Sequence, residues 1–153
     1  QAVLLITHGH LDHFDLTVAR DKFWRILGPR NVTRKLTDAR IIVLDSLVYV
    51  QGMRIYPIAT PHSGIEHYSY RVQWGRWQLY FVGDTDDPKA LLAQSDLDYA
   101  FVTPWLWQKV RSRGARIDAH HIVIYHHKTN ERVTGCADCW IPKQGETRNT
   151  SKN

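Results

Sequence analysis

The sequence predicts a mixed α/β fold, α+β in layout, on three observations. A short unbroken apolar run opens the chain, two segments of period-two alternation face each other across a glycine turn, and helix-start signals stand between the strand-like segments.

Taken in order, Val3-Leu4-Leu5-Ile6-Thr7 is apolar without alternation, the mark of a strand covered on both faces. Asp15 can cap a helix that places Leu16, Ala19, Phe23 and Ile26 on one face and that Gly28-Pro29 ends. Residues 39–44 read as a strand, and residues 47–50 and 53–59 as two more joined by the tight turn Gln51-Gly52. Tyr68, Tyr70, Val72 and Trp74 alternate with Ser69, Arg71 and Gln73, a half-buried strand that turns at Gly75-Arg76 and returns over residues 77–82. Pro88 suits the first turn of a helix running to about Gln94, with Asp86 or Asp87 as its cap. Residues 97–102 and 122–125 read as further strands, and the basic stretch 109–116 between them as a loop. Residues 1–142 are expected to form one domain and 143–153 a polar tail, frayed from Gly145 onward.

Hydrophobic residues at 43% and charged residues at 23% are enough for a sizeable core under a water-soluble surface. No run approaches the roughly 18 apolar residues of a membrane span, and residues 1–7 read as a strand, not a signal peptide. The net charge of +5 favours an anionic partner, a small-molecule substrate first of all. Cys136 and Cys139 lack the second pair of a zinc ribbon and read as a disulfide or an incidental pair; the compartment stays open, with the cytoplasm favoured. The triplets Asn31-Val32-Thr33 and Asn149-Thr150-Ser151 match glycosylation acceptors, which matter only in a secretory pathway.

Histidine carries the functional signal. His8-Gly9-His10-Leu11-Asp12-His13 packs four metal-capable side chains into six residues directly after a buried strand, and imidazole and carboxylate both suit zinc. Three further strands end in such residues: Ala59 leads to His62, Val82 to Asp84, and Tyr125 to His126. Strand ends are where a rigid sheet can present side chains to one cleft. The motif from Thr7 to His13 resembles the signature of the metallo-β-lactamase superfamily, and Pro61-His62-Ser63 and Phe81-Val82-Gly83-Asp84-Thr85 stand in the order of that family's next two motifs.

The resemblance implies an αββα sandwich holding two divalent ions, zinc by preference, although manganese and iron accept the same donors. It assigns His8, His10 and His62 to one ion and Asp12, His13 and a late histidine to the other, with Asp84 between them. His126 is chosen as the late histidine and His127 is the alternative, since a one-residue slip reverses the face of a strand. Asp12 and Asp84 are the expected catalytic carboxylates, Asp84 fixing the spacing and Asp12 accepting a proton. His67 is open to two readings, a substrate contact or a surface or hydrogen-bonded residue; neither His120 nor His121 is expected to be a ligand. The family's signature follows several strands, whereas here it begins at residue 8. An N-terminally shortened first sheet is therefore expected, with residues 3–6 near an open edge: either the sequence is a fragment of a longer protein, or a second chain, such as another copy, covers that edge.

The continuation His13-Phe14-Asp15 and the Gly-Asp-Thr segment look more like the lactonase and phosphodiesterase branches than the antibiotic-degrading one. The expected activity is cleavage of a lactone, ester or phosphodiester by activated water. A nuclease is the alternative, with Lys109, Arg111, Arg113 and Arg116 beside Trp105 and Trp107 as its surface. A side activity on β-lactams and a non-catalytic metal-binding module complete the set.

Overall fold

The structure is a computed structural model that describes residues 2–21, 23–36, 41–43 and 46–148. The chain runs through β1 (Ala2–Leu5), α1 (Leu16–Arg20), β2 (Trp24–Gly28), α2 (Arg30–Thr33), β3 (Ile41–Val43), β4 (Val48–Val50), β5 (Met53–Ala59), β6 (Tyr68–Trp74), β7 (Trp77–Phe81), α3 (Lys89–Leu92), β8 (Leu97–Val102), α4 (Pro104–Ser112) and β9 (Ala119–Ile124). The first three strands form one sheet in the order β1-β2-β3, and the other six form a second in the order β4-β5-β6-β7-β8-β9.

Local chemistry explains the connections. Gln51 and Gly52 both have positive φ, 48° and 77°, so the β4–β5 hairpin turns where the sequence placed it. Gly75 does the same between β6 and β7. From β7 onward the pairing becomes parallel, which requires crossovers, and α3 and α4 supply them. Leu91, Leu106 and Val110 come down from these two helices onto Tyr80, Val82, Ala100, Val102 and Ile124. On the other face of the large sheet, Ile55, Tyr70 and Val72 meet Leu27, Val3 and Leu5 of the small one. Outside the small sheet, Phe14, Ala19 and Val32 pack with Ile6 and Ile26. The layers are therefore helix, sheet, sheet, helix: the αββα order.

The sequence expectations need four corrections. The helix expected from Asp15 to Gly28 stops at Arg20, and Trp24–Gly28 is β2, paired in parallel with β1. Ile26 and Leu27 are both fully buried, so this strand shows no alternation, while Phe23, assigned to the helix face, is 58% exposed. The basic stretch 109–116 is not a loop through its length: its first residues belong to α4, whose Leu106 and Val110, spaced i and i+4, are fully buried. β9 begins three residues before the expected strand, at Ala119, so that His120 and His121 lie within it. The helix at Pro88 ends at Leu92, short of Gln94. Of the strand expected over residues 39–44, residues 41–43 form β3 and the rest lie outside the described residues.

The C-terminal segment is anchored as far as it is described. Trp140 forms a parallel bridge to Val123, and Lys143 N–H donates to Glu146 Oε2, so Gly145 and Glu146, the first residues of the stretch expected to fray, lie in a closed turn. Cys136 and Cys139 are joined in a disulfide. Asn31 donates its Nδ2–H to the Glu66 carbonyl from within α2, a folded setting for the first glycosylation triplet; the second lies outside the described residues. No helix among the described residues is long and apolar enough to cross a membrane.

Candidate metal centre

Every ligand expected from the sequence sits at the end of a strand or in the turn that follows one. After β1 the chain bends at once: Phe14 N–H donates to His10 O at 2.9 Å, and Phe14, 4% exposed, anchors the turn in the core. The bend aims His8, His10 and His13 to one side. The loop after β5 is closed by Thr60 N–H donating to His67 O at 3.1 Å and brings in His62. Asp84 follows β7 through Gly83, and His126 follows β9.

The side chains converge as two clusters. His8, His10 and His62 form the first: His8 Nε2 lies 3.1 Å and His62 Nε2 3.3 Å from His10 Nδ1. Asp12, His13, Asp84 and His126 form the second. There His13 Nε2 is 3.0 Å from both His126 Nε2 and Asp84 Oδ2, and Asp12 Oδ2 is 3.6 Å from both imidazoles. Asp84 Oδ2 also stands 4.0 Å from His8 Nε2, which places the carboxylate between the two groups. His126, not His127, reaches the site. His126 adopts a left-handed backbone with φ 58°, and this turns the next side chain away, where both His127 ring nitrogens face the carbonyls of Lys128 and Pro142.

The electrostatics follow from burial and from the carboxylate. His8 is fully buried, and burial, then the field of His13, pulls its pKa down to about 4. Burial acts the same way on His13, but the Asp84 hydrogen bond and the charges of Asp84 and Asp12 outweigh it and leave the pKa raised. For Asp84 burial pushes up, while the His13 hydrogen bond and the fields of His13, His126 and His8 win and lower it.

The donor set fits metal cations. Imidazole nitrogens approach one another at hydrogen-bond distance, and Asp84 Oδ1 is buried with no hydrogen-bond partner. A buried acceptor left without a donor is costly, and a ligated ion would relieve it. His8 Nδ1 lies 2.9 Å from Thr7 Oγ1; a proton on Nδ1, donated to that hydroxyl, leaves Nε2 bare toward the cluster, as a metal-binding histidine requires.

His67 is 2% exposed, so it is neither a surface residue nor a substrate contact but the hydrogen-bonded histidine of the second reading. Its Nδ1 is 2.7 Å from Thr60 Oγ1, and its Nε2 accepts Asp84 N–H at 2.9 Å. Sequence reasoning missed Thr60, Ser69 and Thr7 as partners. Their only signal is a hydroxyl in or beside an apolar strand. His120 and His121 are exposed on β9, outside both clusters, and His121 stacks on Tyr99. Asp86 pairs with Lys109, whereas Asp87 Oδ1 accepts Lys89 N–H at 3.2 Å at the start of α3.

No protein-family model matches the chain, and no curated protein matches it in sequence. Solved structures do match. The chain is similar to Igni18, a metallo hydrolase from Ignicoccus hospitalis, with a TM-score of 0.68 and 16% identity over 84% of this chain and 65% of that one. It is similar to the metallo-beta-lactamase fold protein YhfI from Bacillus subtilis, at TM-score 0.63 and 15% identity over 82% of this chain and 64% of the other. A diphosphatase of the PhnP family matches at TM-score 0.56 and 17% identity, covering 92% of this chain and 67% of its own. The chain spans about two thirds of the length of these solved structures.

Proposed function

We propose that this chain, whose fold is that of the metallo-β-lactamases, is a metal-dependent hydrolase that uses two divalent cations, zinc first among them, to cleave a lactone, ester or phosphodiester with water. The observation that carries the reading is the pair of adjoining donor clusters with Asp84 between them, its Oδ2 on the histidines and its buried Oδ1 without a hydrogen-bond partner. The diphosphatase among the similar structures supports the phosphodiester part of the range.

His8, His10 and His62 would hold one ion and Asp12, His13 and His126 the other, with Asp84 offering an oxygen to both. Bound there, such ions supply Lewis-acid polarisation of the carbonyl or phosphoryl oxygen and lower the pKa of water to about 7. The protein supplies the rest. Asp84 is 10% exposed and hydrogen-bonded to His13, so it holds its place and keeps the clusters together. Asp12, with 62% of its side chain exposed, is the carboxylate that can take up the proton the attacking water releases.

The nuclease alternative has less behind it. Lys109 is paired with Asp86, and Arg111 donates to the Thr134 carbonyl at 2.9 Å, so half of the basic cluster already has partners within the chain.

The test is hydrolysis of a panel of lactones, aryl esters, nitrophenyl phosphodiesters and single-stranded RNA by purified protein with zinc or manganese. Turnover on the small substrates should fall to background in His8→Ala combined with Asp84→Ala. Unchanged turnover in that variant sinks the mechanism. Cleavage confined to RNA, with binding that weakens steeply as salt is raised, would move the assignment to the nuclease.

A further inference from the structure

The turn that carries Asp84 is held by a closed ring of hydrogen bonds whose proton positions can be read off. Asp84 N–H donates to His67 Nε2 at 2.9 Å, so that nitrogen carries no proton and the neutral ring bears it on Nδ1. Nδ1–H faces Thr60 Oγ1 at 2.7 Å. The Thr60 hydroxyl lies 3.2 Å from Ser69 Oγ, and the Ser69 hydroxyl donates to Val82 O at 2.7 Å. The direction is uniform: His67 to Thr60, Thr60 to Ser69, Ser69 to the Val82 carbonyl. The ring thus begins and ends on the two peptide groups that flank Gly83.

The space is as tightly set as the bonding. Gly83 has φ 64°, and a Cβ there would lie 2.4 Å from His67 Nε2, so glycine is required both for the backbone and for the approach of the imidazole. His67, Thr60 and Ser69 are all buried.

We infer that His67 is a positioning residue: by accepting Asp84 N–H and, through Thr60 and Ser69, tying the Val82 carbonyl, it clamps the Gly83 turn and aims the Asp84 carboxylate between the two donor clusters. The inference rests on the reading of Asp84 as the shared ligand. The clamp itself does not.

Two substitutions in the full chain separate its parts. In His67→Gln the amide oxygen reaches the place of Nε2 and can still accept Asp84 N–H. In His67→Asn the amide can donate to Thr60 but leaves Asp84 N–H without an acceptor. Amide exchange of Asp84 in metal-free protein should stay protected in wild type and His67→Gln, and lose protection about tenfold or more in His67→Asn. Zinc titration should show two ions per chain in wild type and His67→Gln, and one of the two weakened about 10- to 100-fold in His67→Asn. An Asn variant that matches wild type in both readouts overturns the clamp. Should the Asn variant not fold, nitrogen NMR of wild-type His67 decides, because a proton on Nε2 contradicts the ring of bonds and a proton on Nδ1 alone supports it. Wild-type protein that binds no ion overturns the hydrolase reading, while the Asp84 amide still decides the clamp.

Discussion

His13 and His126 face each other nitrogen to nitrogen at 3.0 Å, and neither two bare lone pairs nor two protons are tolerable at that distance without a mediator. The same approach recurs between His8 and His10 at 3.1 Å, and burial adds to it at His8 and His67. The consequence is a pH dependence whose sign can be worked out. His8 is held at about 4 and His67 at about 3, chiefly by burial, against 6.5 for an unperturbed imidazole. Between those values the unfolded chain binds more protons than the folded one, so stability rises with pH there. The contribution of these two neutral imidazoles is complete above pH 6.5 and is lost as pH falls toward 4. His13 runs the other way: its raised pKa gives stability that is complete below 6.5 and lost as pH rises through the folded value. Asp84, lowered from 3.8, contributes above that value and loses its contribution below it. The His13 contribution is constant below 6.5, so the two depressed imidazoles set the slope there and the melting temperature of metal-free protein should fall from pH 6.5 to 4. Thermal melts across that window after chelator treatment check it, and a flat profile would show that His8 and His67 do not sit neutral in the fold.

Glycine sets the turns at the scale of elements, and the structure distinguishes two kinds. Gly52 and Gly83 both have positive φ, but a Cβ on Gly52 meets nothing within 4 Å, whereas one on Gly83 collides with His67 and comes within 3.1 Å of Thr7. Gly52→Ala should therefore cost only the backbone preference, about 1 kcal/mol. Gly83→Ala adds displacement of a buried imidazole and should cost at least about twice as much, with weaker metal binding beside it. Urea unfolding of the two variants makes the comparison, and equal losses would mean the His67 approach is looser than it stands here. The same elements show what could be read from the sequence. His8, His10, Asp12 and His13 lie in one turn, and His62 and Asp84 follow strands with clear boundaries, so their coming together was legible. Choosing His126 over His127 depended on a single backbone angle that no pattern reports. β2 was mistaken for helix because Leu16, Ala19, Phe23 and Ile26 happen to keep a helical spacing, while a strand buried on both faces has no period to oppose it. α4 was missed because its exposed charges hid the Leu106–Val110 pair. The His67 ring joins residues 60, 67, 69, 82 and 84, and nothing local in the sequence announces it.

For the whole molecule, the mismatch between a three-stranded and a six-stranded sheet matters most. β1 pairs with β2 on one side and, among the described residues, has no strand on the other. Its residues are only half-buried although their sequence suits a strand covered on both faces, in contrast with Ile26 and Leu27 of β2. A cavity of about 360 Å³ is lined by Leu5, Ile6, Thr7 and His13 from β1 and the turn after it, by Phe81 and Phe101 of the large sheet, and by Tyr125 just past β9. The aromatic surface continues through Tyr99 to Trp77 and to Trp74, which is 57% exposed. An apolar strand edge beside an apolar face is a template for another strand. In a sample of this 153-residue chain alone that edge faces a second copy, and two β1 edges can pair antiparallel across a two-fold axis. Light scattering behind size exclusion should therefore show mass rising toward a dimer with concentration. Ala2→Lys, which places a charge on the edge strand without removing a side chain from the clusters between the layers, should shift the population back to monomer while leaving the metal content unchanged, since residue 2 lies outside both donor clusters. A wild-type chain that stays monomeric at every concentration and unfolds in one sharp transition would rule out edge pairing. It would also mean that the half-covered β1 is stable as it stands, held by its four-residue register with β2 and by the packing of Val3 and Leu5 against the large sheet.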